Sequence, residues 1–261
     1  MRLPRNIQLK IDQALVLVKK DFKVKYDSTA LGMLWSILTP LAMSAIYWLV
    51  FGKVMNLAAD SGGSFALYIV TGTFLWQYFS SVVMQNANVL ASNASLLKKT
   101  AFDRRLLVWG VYFTETLHFL LTIPLITCFA LLSGVRGNPL ETAANAIVAM
   151  AALMWFSVGA GYFFAALNLI LRDSRRILEV VFRIWFYATP VFIPRGRIPP
   201  QYSFVYDWNP MAAILDIWRD AFYAPAFHPE AYAPVLAVSV AVFLAGRWFF
   251  AAHEPRFAEK M

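Results

Sequence analysis

Residues 142–171 read TAANAIVAMAALMWFSVGAGYFFAALNLIL, thirty positions without one Asp, Glu, Lys or Arg. At about 1.5 Å per residue a helix of this length crosses roughly 30 Å of hydrocarbon with turns to spare. The rest of the chain repeats the pattern. Hydrophobic residues make up 60% of the 261 and charged residues 15%, too few polar groups to cover a soluble globule. The apolar runs are long and uninterrupted, where a membrane β-barrel would show short alternating segments. The fold class that follows is an all-α integral membrane protein.

Working outward from this fourth span, the chain divides into six. The first three run over residues 31–51, 65–87 and 106–132, the fifth over 177–193 and the sixth over 231–252. Gly134, Gly137 and Pro139 mark a tight turn before the fourth span, and the charged run Arg172–Arg176 marks a hairpin after it. Ile7, Ile11, Leu15, Val18 and Phe22 recur at helical spacing, so residues 7–26 read as an interfacial amphipathic helix with Lys19, Lys20 and Lys23 off the apolar stripe. Between Pro194 and Pro229 the prolines, charges and the spaced apolar set Met211, Ile214, Leu215, Trp218 and Phe222 predict one or two short helices at the interface. The whole forms one membrane domain, with residues 31–252 in the six-span region and 253–261 as a tail.

The net charge of +8 sits in clusters between apolar runs, which points to anionic lipid rather than to nucleic acid. These clusters fall in alternate connections, about three to one in favour of the side holding the N-terminus, so both termini are expected in the cytoplasm. The single cysteine, Cys128, excludes an intrachain disulfide and a cysteine zinc cluster.

Little covalent chemistry is legible. No G-x-x-x-x-G-K-[ST] occurs, so any ATP dependence belongs to a partner. Glu115 and His118 have the E-x-x-H spacing of half a di-iron site, but no second copy exists, and a hydrogen-bonded polar pair is the expected reading. Glu179 and Arg183 are spaced to pair on the fifth span, and Ser157, Gly161 and Ala165 are spaced for close helix packing on the fourth. Sparse intramembrane charge disfavours an ion-coupled secondary transporter, and the loop before the sixth span lacks the constellation that a membrane-embedded transferase needs.

Several stretches, taken in order, carry a resemblance. They are Leu31-Gly32-Met33-Leu34-Trp35 followed by Pro40; Gly72 with Trp76 and Phe79; Asn93-Ala94-Ser95-Leu96-Leu97-Lys98-Lys99 with Phe102 and Arg104; Asn168 with Arg172-Asp173; Trp185-Phe186-Tyr187-Ala188-Thr189-Pro190; and Asn209-Pro210 with Arg219. The chain resembles the permease subunit of polysaccharide-exporting ABC transporters, the ABC-2 class that includes O-antigen, capsule and teichoic acid exporters. It departs from the family at Phe102-Asp103-Arg104-Arg105, where Phe-Pro-Arg-Glu is common. The resemblance implies a homodimer in the bacterial cytoplasmic membrane, two copies of a separate ATPase that binds ATP and Mg, a channel at the dimer interface, short gate helices outside the fifth span, and a lipid-linked glycan of O-antigen type as substrate. This chain itself is expected to hold no cofactor and no metal.

Three sets of candidate residues follow. Trp35, Trp76, Phe79, Trp185 and Tyr187 are candidates to line the passage, since ring faces let a sugar chain slide. Lys19, Lys20, Lys98, Lys99, Arg104 and Arg105 are candidates for the ATPase dock. Pro40, Arg172, Asp173, Arg183, Pro190, Asn209, Pro210 and Arg219 are candidates for structural or gating roles.

Overall fold

The computed structural model describes residues 8, 12–13, 15–20, 32–57, 64–94, 102–134, 138–171, 173–223 and 227–257. The calls on Lys98, Lys99 and Arg172, and most of the predicted 7–26 helix, lie outside them. The described residues form helices and no strand. In chain order they are α1 (Trp35–Tyr47), α2 (Phe65–Ser92), α3 (Arg105–Leu120), α4 (Ile123–Leu132), α5 (Pro139–Ile170), α6 (Ser174–Tyr187), α7 (Phe204–Asp207), α8 (Pro210–Tyr223) and α9 (Pro229–His253).

Among the described residues five segments are long and apolar enough to cross a bilayer: Gly32–Val54, Phe65–Ser92, Arg105–Leu132, Pro139–Ile170 and Glu230–His253. The predicted fifth span differs. Its helix, α6, has 14 residues, about 21 Å of rise, and stops at Tyr187 because the chain turns through Thr189 and Pro190. Two other expectations shift. α2 runs to Ser92, past the predicted end at Ala87, because Val89 and Leu90 are still buried. The first span continues beyond Phe51 as a π-helical stretch, Trp48–Val54.

α2 and α5 form the centre. α5 packs against α2, α8 and α9, and its contact with α9 is closest at two glycines. A Cβ on Gly246 would lie 2.0 Å from the Gly159 carbonyl oxygen, and one on Gly159 would lie 2.5 Å from Phe243 Cα, so only hydrogen fits. The predicted stripe of Ser157, Gly161 and Ala165 is buried as well, with Gly161 against Asn86 of α2. Between spans three and four Asn138 caps α5 by accepting from Leu140 N at 3.1 Å, while Gly137 of the expected turn lies outside the described residues. The outward surface carries Leu131, Leu132, Ile147, Leu244 and Trp248, all exposed, as a lipid-facing bundle requires.

Candidate functional site

The segment joining α6 to α8, together with α8, gathers Pro190, Asn209, Pro210 and Arg219, half of the predicted structural or gating residues. Asn209 stands at its centre. The indole Nε1 of Trp185 donates to Asn209 Oδ1 at 2.9 Å, and Asn209 Nδ2 donates to Ala188 O and to Thr189 Oγ1, both at 2.9 Å. Met211 N also donates to Asn209 Oδ1 at 3.0 Å, so one amide side chain caps α8 and ties down the end of α6. Pro210 then occupies the first helical position, where its missing N–H costs nothing.

Arg219, one face further along α8, closes the same turn. Its guanidinium donates to Pro190 O at 2.6 Å, Val191 O at 2.9 Å and Tyr68 O at 3.1 Å, and lies 3.4 Å from the centre of the Tyr68 ring. Burial pushes its pKa down, yet three carbonyls and a ring face hold the charge. Gly72 makes room for it, since a Cβ there would come within 2.6 Å of Arg219 Nη2 and 2.7 Å of Val191 O. Outside this knot Arg195 bridges Asp207 at 3.1 Å and Asp216 at 2.8 Å.

The aromatic candidates separate into two groups. Trp76 and Phe79 are buried at 7% and 0% exposure, in a cluster with Phe182, Trp185 and, for Phe79, Phe156, at centroid distances of 5.4–5.9 Å. These rings hold α6 on α2 and offer no face to a passing molecule. Trp185 is half-buried and its N–H is committed to Asn209. Trp35 and Tyr187, at 52% and 59%, present their rings outward.

α6 carries Arg183 on its exposed face with Val180, Ile184 and Tyr187. The expected Glu179–Arg183 pair is not formed. Glu179 pairs with Arg175 at 3.4 Å, one turn earlier, because that partner lies on the same exposed edge of the helix start. Arg183 has no ion-pair partner among the described residues. α6 adjoins the first span at the Tyr47–Phe186 ring contact, 5.6 Å. Pro40, within α1, is buried.

At the opposite end the basic candidates meet chain termini of helices. Lys20 Nζ donates to Asn93 Oδ1 at 2.7 Å, beyond the end of α2. Leu15, on the predicted apolar stripe, is exposed, and the inward contact is made by Leu17, over Gly110 of α3. That leaves the Leu15 face free for lipid. Arg104 Nη1 donates to Glu254 O at 2.6 Å, and Arg105 Nη2 lies 3.6 Å from Glu254 Oε2. Lys19 is exposed; Asp173 is exposed at the α5–α6 turn, where Ser174 Oγ donates to Asn168 Oδ1 at 3.0 Å. Sequence reasoning missed Glu254 and Tyr68, because neither lies in a motif and each meets its partners only through the fold, by a main-chain carbonyl as well as by its side chain.

His118 Nδ1 and Glu115 Oε1 are 3.2 Å apart and both side chains are buried, as a polar pair. No group of three metal-ligating side chains occurs among the described residues.

Comparison with known proteins agrees with this architecture. Residues 12–223 match the family described as ABC-2 type transporter. The O-antigen export system permease protein RfbA of Klebsiella pneumoniae is 30% identical over 99% of this chain and 98% of its own length. The protein of that name from Myxococcus xanthus is 27% identical, covering 100% of both. The polysialic acid transport protein KpsM of Escherichia coli is 20% identical over 78% of this chain and 79% of its own.

Proposed function

The chain belongs to the ABC-2 type transporter family, and from that premise we propose that it is the transmembrane subunit of an ATP-driven exporter of a lipid-linked polysaccharide of O-antigen type. Two copies form the passage between them, with both termini in the cytoplasm of a bacterium and two copies of a separate ATPase, which binds ATP and Mg, beneath. α6, lengthened by the turn at 188–194, supplies the sixth crossing. The short helices α7 and α8 stand outside it as gate elements.

The observation that carries the reading is the face of α6. Arg183 lies nine residues into the helix, about 13 Å from its start, exposed and without an acidic partner. A guanidinium at that depth is too costly to face acyl chains, so it faces a polar passage or a second subunit. Tyr187 and, on α1, Trp35 add exposed rings for a sugar chain to slide over. Trp76, Phe79 and Trp185 serve as the wall behind them. Lys20, Arg104 and Arg105, joined by Lys19, Lys98 and Lys99, form the ATPase dock on the cytoplasmic side. The 30% relatives favour O-antigen; the polysialic acid relative, at 20%, keeps capsule export as the second reading.

Deleting the gene, or disabling only the ATP site of the partner, should leave a lipid-linked glycan trapped on the cytoplasmic leaflet and abolish its surface form. Normal surface polysaccharide in the deletion strain would overturn the proposal. Reversing Arg104 and Arg105 to Glu should uncouple ATP hydrolysis from export while insertion persists.

A further inference from the structure

The last span, α9, ends at His253, and the chain goes on through a 3₁₀ turn, Glu254–Arg256, to Phe257. Pro255 changes the winding, because it has no amide hydrogen for the Ala251 carbonyl. The turn carries Phe257 inward. Its ring is 1% exposed and meets Phe250 edge-on at 5.2 Å, and Phe250 meets Tyr162 of α5 at 5.1 Å.

Arg104 and Arg105, at the start of α3, hold this turn. Arg104 Nη1 donates to Glu254 O at 2.6 Å, and its guanidinium carbon lies 5.9 Å from the centre of the Phe257 ring. Arg105 Nη2 is 3.6 Å from Glu254 Oε2. The end of a helix has carbonyls without partners and the negative end of the dipole, so a guanidinium is favoured there and a Glu carboxylate is not. Arg104 supplies the first and Arg105 offsets the second. The two arginines point differently, since Asp103 Oδ1 accepts from Arg105 N at 3.2 Å and opens α3 between them. Arg104 is half-buried and turned onto Glu254 and Phe257, whereas Arg105 keeps 40% of its side chain in solvent. Two cations assigned together to the ATPase dock therefore have different tasks.

The contact continues into the bundle. Gly246 lies eight residues before Glu254, about 12 Å along α9, and there α9 meets α5 so closely that a Cβ would come within 2.0 Å of Gly159 O. Contacts packed to this density do not absorb a displacement, so a shift of Glu254 is handed along α9 to α5. We propose that the turn Glu254–Phe257 is a coupling clasp: it joins the Arg104–Arg105 corner of the ATPase dock to α9 and thereby to α5. Arg104 is a positioning residue that acts on the clasp, and Arg105 is the cation left to face the ATPase. This rests on the exporter reading above.

The test compares four variants of the full exporter, permease with its ATPase. Truncation after His253 removes the clasp, truncation after Phe257 keeps it, Phe257→Ala empties its anchor, and Arg104→Lys keeps the charge without the planar fork that serves carbonyl and ring together. Surface polysaccharide in cells should fall on the order of tenfold in the three clasp variants, the factor carried by one hydrogen bond to a charged group. Their purified complexes should keep the parental ratio of permease to ATPase and the parental melting temperature, and should go on hydrolysing ATP, because loss of the turn frays the end of α9 and leaves the bundle closed. Truncation after Phe257 should export as the parent does. Parental export after truncation at His253 and in Phe257→Ala would make the turn idle. A melting temperature or ATPase content that falls in step with export would make it a brace of the fold. Either result overturns the clasp and leaves the exporter reading standing. If surface polysaccharide survives deletion of the gene, the exporter reading falls and the clasp with it.

Discussion

The knot around Asn209 and the outward face of α6 are neighbours in sequence and treat polar groups in opposite ways. Asn209 and Arg219 spend theirs on main-chain carbonyls, a capped helix and one indole. Arg183, 26 residues before Asn209, holds its guanidinium out with no carboxylate beside it among the described residues. The structural and gating candidates therefore divide into those that make the fold and those the fold displays. Substitutions in the knot should act on stability first, and substitutions on the α6 face on transport alone.

The largest effect is expected from Arg219→Ala. It leaves the Val191 carbonyl without its donor, at a cost of about 1–3 kcal/mol, weakens the hold on Pro190 O and Tyr68 O, which keep the Tyr68 hydroxyl and Thr71 Oγ1, and empties a buried site the size of a guanidinium. Thermal melting of the detergent-solubilised protein should show a loss of several kcal/mol or no folded material. A variant as stable as the parent would erase the distinction between the two regions.

Gly72→Ala comes next. The new methyl would sit 2.6 Å from Arg219 Nη2 and 2.7 Å from Val191 O, and the second neighbour is backbone and cannot swing aside. Overpacking of this kind costs about 1–3 kcal/mol. Combining it with Arg219→Ala sharpens the point: the double variant should lose less than the sum, because one of the two clashes is gone.

On the other side of the comparison, Arg183→Gln should change the melting behaviour by no more than about 0.5 kcal/mol, as a substitution at an exposed, unpaired site does. Surface polysaccharide should fall severalfold in the same cells. An Arg183→Gln protein that unfolds, or that exports at the parental rate, would place Arg183 with the knot or with inert surface.

The spans were legible because hydrocarbon demands long runs of one kind, and Phe65–Ser92, Pro139–Ile170 and Glu230–His253 each supply one. The fifth was legible only in part. Its apolar run is real, but Thr189 and Pro190 turn the chain after Tyr187, and what closes that turn is Arg219, far away in sequence. The candidate site shows the same limit. Motif order picked out Asn209, Pro190 and Arg219 without saying that they meet. Ring content picked out Trp76 and Phe79 together with Trp35 and Tyr187, because hydrophobicity is the same for a ring packed against Phe182 and a ring facing outward. Only the packing of α6 on α2 separates them. Arg183 was assigned to Glu179 by spacing, a rule that two candidates four residues away on either side satisfy equally, and Arg175 took the carboxylate.

The smallest expected effect tests the rim of the knot. Asp216 accepts from Arg195 at 2.8 Å, while Arg195 also reaches Asp207. Burial pushes the Asp216 carboxyl above the usual carboxylate range, and the Arg195 guanidinium pulls it back only in part. A raised pKa means that the folded chain holds this proton more tightly than the unfolded one does. The stabilisation it brings is fully present below the unfolded carboxylate value and is lost as pH rises through the higher, folded value. At neutral pH, then, the charged form is tolerated rather than favoured. Asp216→Asn keeps the size and an acceptor for Arg195 and removes that burden, so its melting temperature at pH 7 should equal or slightly exceed the parent's. A partly buried ion pair that keeps this much contact with solvent is worth about 0–1 kcal/mol, a few degrees at most. Asp220, also raised by burial and bonded by the Tyr232 hydroxyl at 3.4 Å, titrates in both proteins, so the difference between variant and parent is the quantity to follow. That difference should shrink to nothing as pH falls through the window between the two carboxyl values. A variant that melts lower at pH 7 and gains on the parent under acid would mean that the Arg195 bridge outweighs burial, and would move Asp216 into the group of residues that hold the knot together.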